Sequence, residues 1–205
     1  MLITVLTVSA AVPAQAAVKK GLVKSGGKYY YYNKKGEKTI NKLKTLKQNG
    51  KKYVFYFGKN GAAFKAANSF DKTYNVKLFK IGKKQYGFDQ YSHRVKPGIY
   101  VDSMSKIFVF NAKGVYDSKK SKTLRGKFKS VYDGGPKSKT LVDDIISVLG
   151  KPLKQEGGQK SCGGWDPDDS FTDMHLYYKY FEVQIFHNET TGEYGLNNFF
   201  SVIAK

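Results

Sequence analysis

The feature that most limits what this chain can fold into is a recurring unit of aromatic run, polar turn and glycine. Tyr29 to Tyr32 run into Asn33-Lys34-Lys35-Gly36, Phe55-Tyr56-Phe57 into Gly58-Lys59-Asn60-Gly61, and Ile107 to Phe110 into Asn111-Ala112-Lys113-Gly114. Between the second and the last, Gly82 to Tyr91 (GKKQYGFDQY) is a degenerate fourth copy. Measured at the last aromatic, the steps are 25 residues (32 to 57), 31 (57 to 88) and 22 (88 to 110). Gly-Lys, an aromatic strand and a polar turn closed by Gly is the sequence form of a β-hairpin with glycine at a positive φ. A lone hairpin is only marginally stable in water, so units repeated at such intervals stack and share a core.

The first unit puts four tyrosines in succession. Successive side chains of a strand point to opposite faces, so Tyr29 and Tyr31 occupy one face and Tyr30 and Tyr32 the other. In a stack, one aromatic face packs on the neighbouring hairpin. The second closes the opposite seam or stays open as a platform on which a sugar ring can lie.

Charge divides the chain. Up to Lys139 there are 31 Lys and Arg against 6 Asp and Glu, a net of +25; from Thr140 onward 5 oppose 10, a net of −5. The sign changes near Gly134-Gly135-Pro136, which predicts two regions with different partners. Lys34, Lys35, Lys38, Lys42, Lys44, Lys47, Lys51 and Lys52 crowd the turns and connectors of the first two units. Such a field attracts polyanions: teichoic-type polymers, acidic polysaccharides or anionic headgroups. Arg94 and Arg125 are the chain's two arginines, too few for the bidentate contacts of dedicated nucleic-acid recognition.

Residues 1–17 (MLITVLTVSAAVPAQAA) are uncharged, largely apolar and close on Ala14-Gln15-Ala16, the pattern of a secretory signal peptide and its cleavage site. No later segment has the roughly 18 apolar residues of a membrane span. The expectation is an exported, soluble protein held at the bacterial surface by binding. Cys162 is the sole cysteine, so no internal disulfide forms.

Two stretches, Gly27-Lys28-Tyr29-Tyr30-Tyr31-Tyr32-Asn33-Lys34-Lys35-Gly36 and Gly50 to Ala63 (GKKYVFYFGKNGAA), resemble the cell-wall-binding repeats of choline-binding and glucan-binding proteins. The likeness extends over roughly Lys19 to Asp117. It implies a β-hairpin solenoid that attaches an exported protein to wall polymers or glucans. Carried onto the matching positions, it implies ligand-binding roles for Tyr30, Tyr32, Phe55, Phe57, Phe88 and Phe110. The family's choline boxes are built on tryptophan, whereas the one tryptophan here, Trp165, lies outside the repeats. Lysine is expected to replace that chemistry, with Lys34, Lys35 and Lys52 as ligand-binding cations.

The region after Thr140 predicts a small α+β module. Thr140 and Asp143 suit a helix start, Leu141, Ile145, Val148 and Leu149 follow at helical spacing, and Gly150 and Pro152 end it. Met174, Leu176 and Tyr178 alternate, as do Phe181, Val183 and Ile185, and then Phe199, Ser201 and Ile203: three antiparallel strands, with His187 to Glu193 as a hairpin loop. The turn Leu149-Gly150-Lys151-Pro152 and the element order resemble β-lactamase-inhibitor-like small modules, which implies a protein-interaction role. Residues 118–139 are expected to bridge the two regions, with one strand at Lys127 to Tyr132.

Catalytic and metal motifs are weak. Cys162 with His175 or His187 as base matches no cysteine-protease spacing, and Asp166, Asp168, Asp169 and Asp173 depart from the calcium-loop pattern. The sequence thus predicts a mainly β protein: signal peptide 1–17, basic aromatic hairpin repeats 18–117, bridge 118–139, and an α+β module 140–205 with one helix on a three-stranded sheet. The expected function is non-catalytic binding of cell-wall or extracellular polysaccharide, with no cofactor and no metal. The alternative is a structural spacer whose C-terminal module binds a protein partner.

Overall fold

In a computed structural model of the chain, residues 18–68, 75–101, 106–132, 141–160 and 171–196 are described. The protein is mainly β. Its first part is four antiparallel hairpins: β1 (Gly21–Ser25) with β2 (Lys28–Tyr32), β3 (Lys42–Gln48) with β4 (Lys51–Phe57), β5 (Lys77–Ile81) with β6 (Lys84–Phe88), and β7 (Gly98–Val101) with β8 (Ile107–Phe110).

The four units are one repeat, and the backbone bonding demonstrates it. The last aromatic of each hairpin pairs with the residue six positions on: Tyr32 with Lys38, Phe57 with Ala63, Phe88 with Arg94, Phe110 with Tyr116. Within each loop the fourth residue donates its N–H to the first: Gly36 to Asn33 (3.0 Å), Gly61 to Gly58 (2.9 Å), Ser92 to Asp89 (3.2 Å) and Gly114 to Asn111 (2.7 Å). That fourth residue has φ of 83°, 76°, 72° and 70° in turn, the left-handed conformation that glycine adopts without strain. The degenerate copy is therefore a full member, with Ser92 where its siblings have glycine.

Consecutive units are joined in the same register. The residue six after one unit's last aromatic donates to the carbonyl three before the last aromatic of the unit ahead: Ala63 to Tyr29 (2.8 Å), Arg94 to Val54 (2.7 Å), Tyr116 to Gln85 (2.8 Å). A second series joins the ninth residue to the next unit's loop, Asn41 to Gly58 (3.2 Å) and Ala66 to Asp89 (3.0 Å). At the third place in that series stands Pro97, which has no N–H to give. The hairpins are thus a continuous array.

The array runs into a small α+β part. Helix α1 (Ser118–Tyr132) and helix α2 (Leu141–Leu149) cover one face of a four-stranded antiparallel sheet ordered β12-β11-β10-β9, where β9 is Lys154–Lys160, β10 Phe171–Tyr177, β11 Glu182–Asn188 and β12 Tyr194–Leu196. Leu141, Ile145 and Leu149 pack with Leu176, Phe181, Val183 and Ile185, as their spacing predicts. The segment Lys127 to Tyr132, expected as a strand in a bridge, is instead the end of α1. Leu124, Phe128 and Val131 recur at helical spacing and join the same core, and the Asp117 carboxylate caps the helix by accepting the Lys120 N–H at 2.9 Å. Burying that stripe overrides the short alternation that suggested a strand. Strand β9 (KQEGGQK) is an addition to the three strands expected: it is polar because it forms the edge of the sheet, and its register shifts beside Asp173 and Met174. Residues 1–17, Thr140, the loop with Cys162, Trp165, Asp166, Asp168 and Asp169, and the strand expected at Phe199 to Ile203 lie outside the described residues.

The two parts meet through specific contacts. Ile107 and Val101 of the last hairpin belong to the α+β core, and the Val109 N–H donates to the Ser121 Oγ of α1 at 2.9 Å. Tyr180 stacks on Tyr100 with ring centres 4.1 Å apart. No described helix is long and apolar enough to cross a membrane.

Candidate ligand-binding surface

Strand alternation assigns every aromatic in the array a direction. Counting back from the last aromatic, that residue and the second before it pack on the hairpin ahead. The first and third before it face the hairpin behind. Tyr29 meets Phe55 edge-on at 6.1 Å and Tyr31 meets Phe57 at 6.3 Å, so the trailing face of the first hairpin covers the leading face of the second. Tyr56 in turn lies over Phe79 (5.1 Å) and Phe88 (6.4 Å) of the third hairpin. At the next seam Gly87 replaces the tyrosine, and the Phe110 ring lies against its backbone; an added Cβ would come within 2.7 Å of Val95 Cγ2 and 2.9 Å of Phe110 Cε1. The trailing face of the last hairpin is covered by α1.

These seams fix where the six aromatic positions stand. Phe55, Phe57 and Phe88 are 0% exposed and Phe110 2%, so these four hold the stack together and present no face to a ligand. That is a correction to the expectation for them. The hairpin ahead seals each ring, because apolar surface of that size is strongly driven out of water. Tyr30 and Tyr32 occupy the homologous positions of the first hairpin and are only half-buried, since among the described residues no hairpin lies ahead of them. Aromatic surface therefore remains available on the leading face of the array, as it does at Tyr91 in the third loop, which is 48% exposed.

Lysines gather around the leading face. Lys34 and Lys35 are exposed in the loop directly after Tyr32, and the loop is held by the Asn33 Oδ1, which accepts the N–H of Lys35 and of Glu37, both at 2.9 Å. Lys52 is also exposed but sits near the tip of the second hairpin, paired across the ladder with Lys47. Five residues of strand, about 17 Å, separate it from the loop end, so it does not join the Tyr30–Tyr32 cluster.

The structure gives ring partners to lysines that the sequence names only as part of a crowd, and adds Lys24. Lys38 Nζ stands 5.1 Å from the Tyr30 ring centre, Lys44 Nζ 4.3 Å from Tyr31 and Lys24 Nζ 5.8 Å from Tyr29. In the third hairpin the Arg94 guanidinium lies 5.5 Å from Tyr86. Lys24 could have been found from the hairpin register, which pairs it with Tyr29. Lys44 could not, because it reaches Tyr31 from the next hairpin. Glu37 is the only carboxylate between residues 18 and 68, and it accepts from Asn33 Nδ2 at 2.6 Å. The cations near the tyrosines therefore have almost no acidic competition on their own hairpins.

One flank of the stack carries a polar chain. The Gln48 Nε2 donates to the Tyr29 hydroxyl at 2.7 Å, the Gln48 Oε1 lies 2.7 Å from His93 Nε2, and His93 stacks on Tyr53 at 3.8 Å. Asp89 Oδ1 accepts from the N–H groups of Tyr91 and His93. These contacts tie the first three hairpins together and engage His93 and Asp89 within the stack.

The α+β part holds a second polar group. His175 Nδ1 lies 2.5 Å from Glu182 Oε1. Glu156 is held below its usual carboxylate range by its hydrogen bond with Lys154, and the Tyr177 hydroxyl is raised by its bond with Glu156. His187 stacks on Tyr194 at 4.3 Å. Both histidines thus have local partners. Among the described residues no three His, Cys, Asp or Glu side chains gather as a metal site.

No family profile and no curated protein matches this chain. Among solved structures, it is similar to the choline binding domain of a Streptococcus pneumoniae protein, at 19% identity and a TM-score of 0.33, over 50% of this chain and 99% of that one. It is similar also to choline binding protein F from Streptococcus pneumoniae, at 19% identity and a TM-score of 0.34, over 48% of this chain and 27% of that one. A third is the multimodular pneumococcal cell wall endolysin from phage Cp-1, complexed with choline, at a TM-score of 0.36 and 13% identity, over 93% of this chain and 41% of that one. This chain therefore spans less than half of the last two. Choline-binding proteins, the type its repeat motif resembles, are thus among the structures it is similar to.

Proposed function

We propose that this chain is an exported, non-catalytic protein of the bacterial surface that binds a cell-wall or extracellular polysaccharide. Binding is through the leading hairpin of its array. One observation carries the reading. At homologous positions Phe55 and Phe57 are wholly buried while Tyr30 and Tyr32 are half-open, on a scaffold made rigid by repeated seam bonds.

Tyrosine is well suited to this role. It offers a flat apolar face to the sugar ring, and a hydroxyl at its edge to the sugar's polar groups. Lys34, Lys35 and Lys38 beside it add attraction for acidic groups on the polymer. The α+β part closes the far end of the array.

Sedimentation of the full chain with purified walls tests this. Wild-type protein is expected in the pellet, and Tyr30→Ala with Tyr32→Ala in the supernatant, with unchanged far-UV circular dichroism. Wild-type protein that stays in the supernatant at low salt refutes it.

A further inference from the structure

Quaternary ammonium ligands are held by aromatic faces through cation–π attraction, with the cation within about 6 Å of a ring centre. At several rings of this array that position is already filled from within the chain. Lys38 lies over Tyr30, Lys44 over Tyr31 and Arg94 over Tyr86, at 5.1, 4.3 and 5.5 Å. Two of the three are written into the repeat. Lys38 and Arg94 each stand six residues after their unit's last aromatic, and Tyr30 and Tyr86 each stand two before it. Lys44 does the same across a seam, reaching from β3 to a ring of β2.

A tethered cation competes at the effective concentration its tether sets, commonly in the millimolar range. A free quaternary ammonium must displace it, and must do so against a net charge of +25 on residues 1–139. The same arrangement favours the opposite charge. A lysine ammonium has three donors and no acceptor; with one side on a ring, the other side keeps donors for an incoming anion. The ring fixes the long side chain in advance, which lowers the entropy lost on binding. Glu37, bonded to Asn33, is the one acidic side chain on these two hairpins.

We infer that the first two hairpins recognise the anionic groups of a polymer through Lys38 and Lys44, with Tyr30 and Tyr31 as supports that position them, and do not take a quaternary ammonium. This rests on the wall-binding reading for its biological setting, but its chemistry is testable separately.

The full chain is bound to purified walls and eluted with choline chloride, with sodium chloride at equal ionic strength, or with inorganic polyphosphate. Elution by polyphosphate at low ionic strength, with choline no better than sodium, is the expected result. Elution by choline at a concentration where sodium chloride does nothing overturns the inference. Calorimetric titration of the full chain with polyphosphate runs alongside and needs no wall. Lys38→Met with Lys44→Met is expected to weaken that binding by about tenfold or more, the scale of one good charged contact per tenfold. Lys38→Arg with Lys44→Arg is expected to restore it. If walls fail to retain the protein but polyphosphate binds in this lysine-dependent way, the wall reading falls and the anion site stands. No polyphosphate binding, or binding indifferent to Lys38 and Lys44, refutes the site.

Discussion

Ser92→Gly should make the protein more stable, and the size of the gain follows from the repeat. Ser92 occupies the loop position that Gly36, Gly61 and Gly114 fill in the sibling units, at φ 72°. A residue with a Cβ in that conformation costs about 1–2 kcal/mol. The residue is also 1% exposed and its hydroxyl has no hydrogen-bond partner; a buried hydroxyl left unpaired costs about 1–3 kcal/mol. Against these gains, glycine loosens the unfolded chain by about 0.4–1 kcal/mol, and some packing of the hydroxymethyl group is lost. The net expectation is a stabilisation of about 1–2 kcal/mol, which for a chain of this length raises the melting temperature by roughly 2–8 °C. Thermal and urea unfolding followed by circular dichroism reads it directly. The reciprocal change, Gly61→Ser, puts the strained residue into the second unit, where its Cβ would also run into the Lys38 side chain, and should cost at least as much. Ser92→Gly that lowers stability, or Gly61→Ser that leaves it unchanged, would refute the homology of the four loops.

Other changes probe the seams and the tyrosines. Phe57→Ala opens a fully buried seam and should cost about 3–5 kcal/mol. Tyr32→Ala at the homologous, half-open position should cost less than about 1 kcal/mol, and chemical denaturation separates the two. Gly87→Ala drives a methyl into Phe110 and Val95; overpacking of this kind costs about 1–3 kcal/mol, read as a lower urea midpoint. Burial pushes the Tyr178 hydroxyl up to about 12, and burial with a hydrogen bond to Tyr180 raises Tyr100 well above the ordinary range. Both stay protonated in the fold while the unfolded chain begins to lose those protons near pH 10. Stability is therefore full below about pH 10 and falls as pH rises from there through about 12. Unfolding midpoints at pH 8 and pH 11, with tyrosinate absorbance, check the sign.

What the sequence made legible was whatever is periodic. The aromatic–turn–glycine spacing located three hairpins, because loop closure needs a left-handed residue at one fixed place; the copy closed by Ser92 was legible from its Gly82-Lys83 start and the aromatics Tyr86 and Phe88. The helix at Leu141 to Leu149 and the strands around Leu176 and Val183 were legible for the same reason: their buried residues recur at the period of the element. Alternation also told that Tyr30 and Tyr32 share a face. It could not tell that Phe55 and Phe57, the same positions one repeat later, would be sealed, since that depends on whether a hairpin stands ahead. The helix at Ser118 to Tyr132 was missed because only Leu124, Phe128 and Val131 carry its stripe among many lysines. Lys44 over Tyr31 was invisible because the partners come from different hairpins, and strand β9 because an edge strand has no need of apolar alternation.

The salt dependence of wall binding tests the central claim most directly, that ring-supported lysines at the head of a closed hairpin array hold an anionic polymer. Between about 0.01 and about 1 M salt the screening length falls from roughly 30 to roughly 3 Å. The expected result is a steep loss of affinity for the full chain over that range, and a shallower loss for Lys38→Met with Lys44→Met. Affinity that stays level with salt in both proteins would contradict the claim.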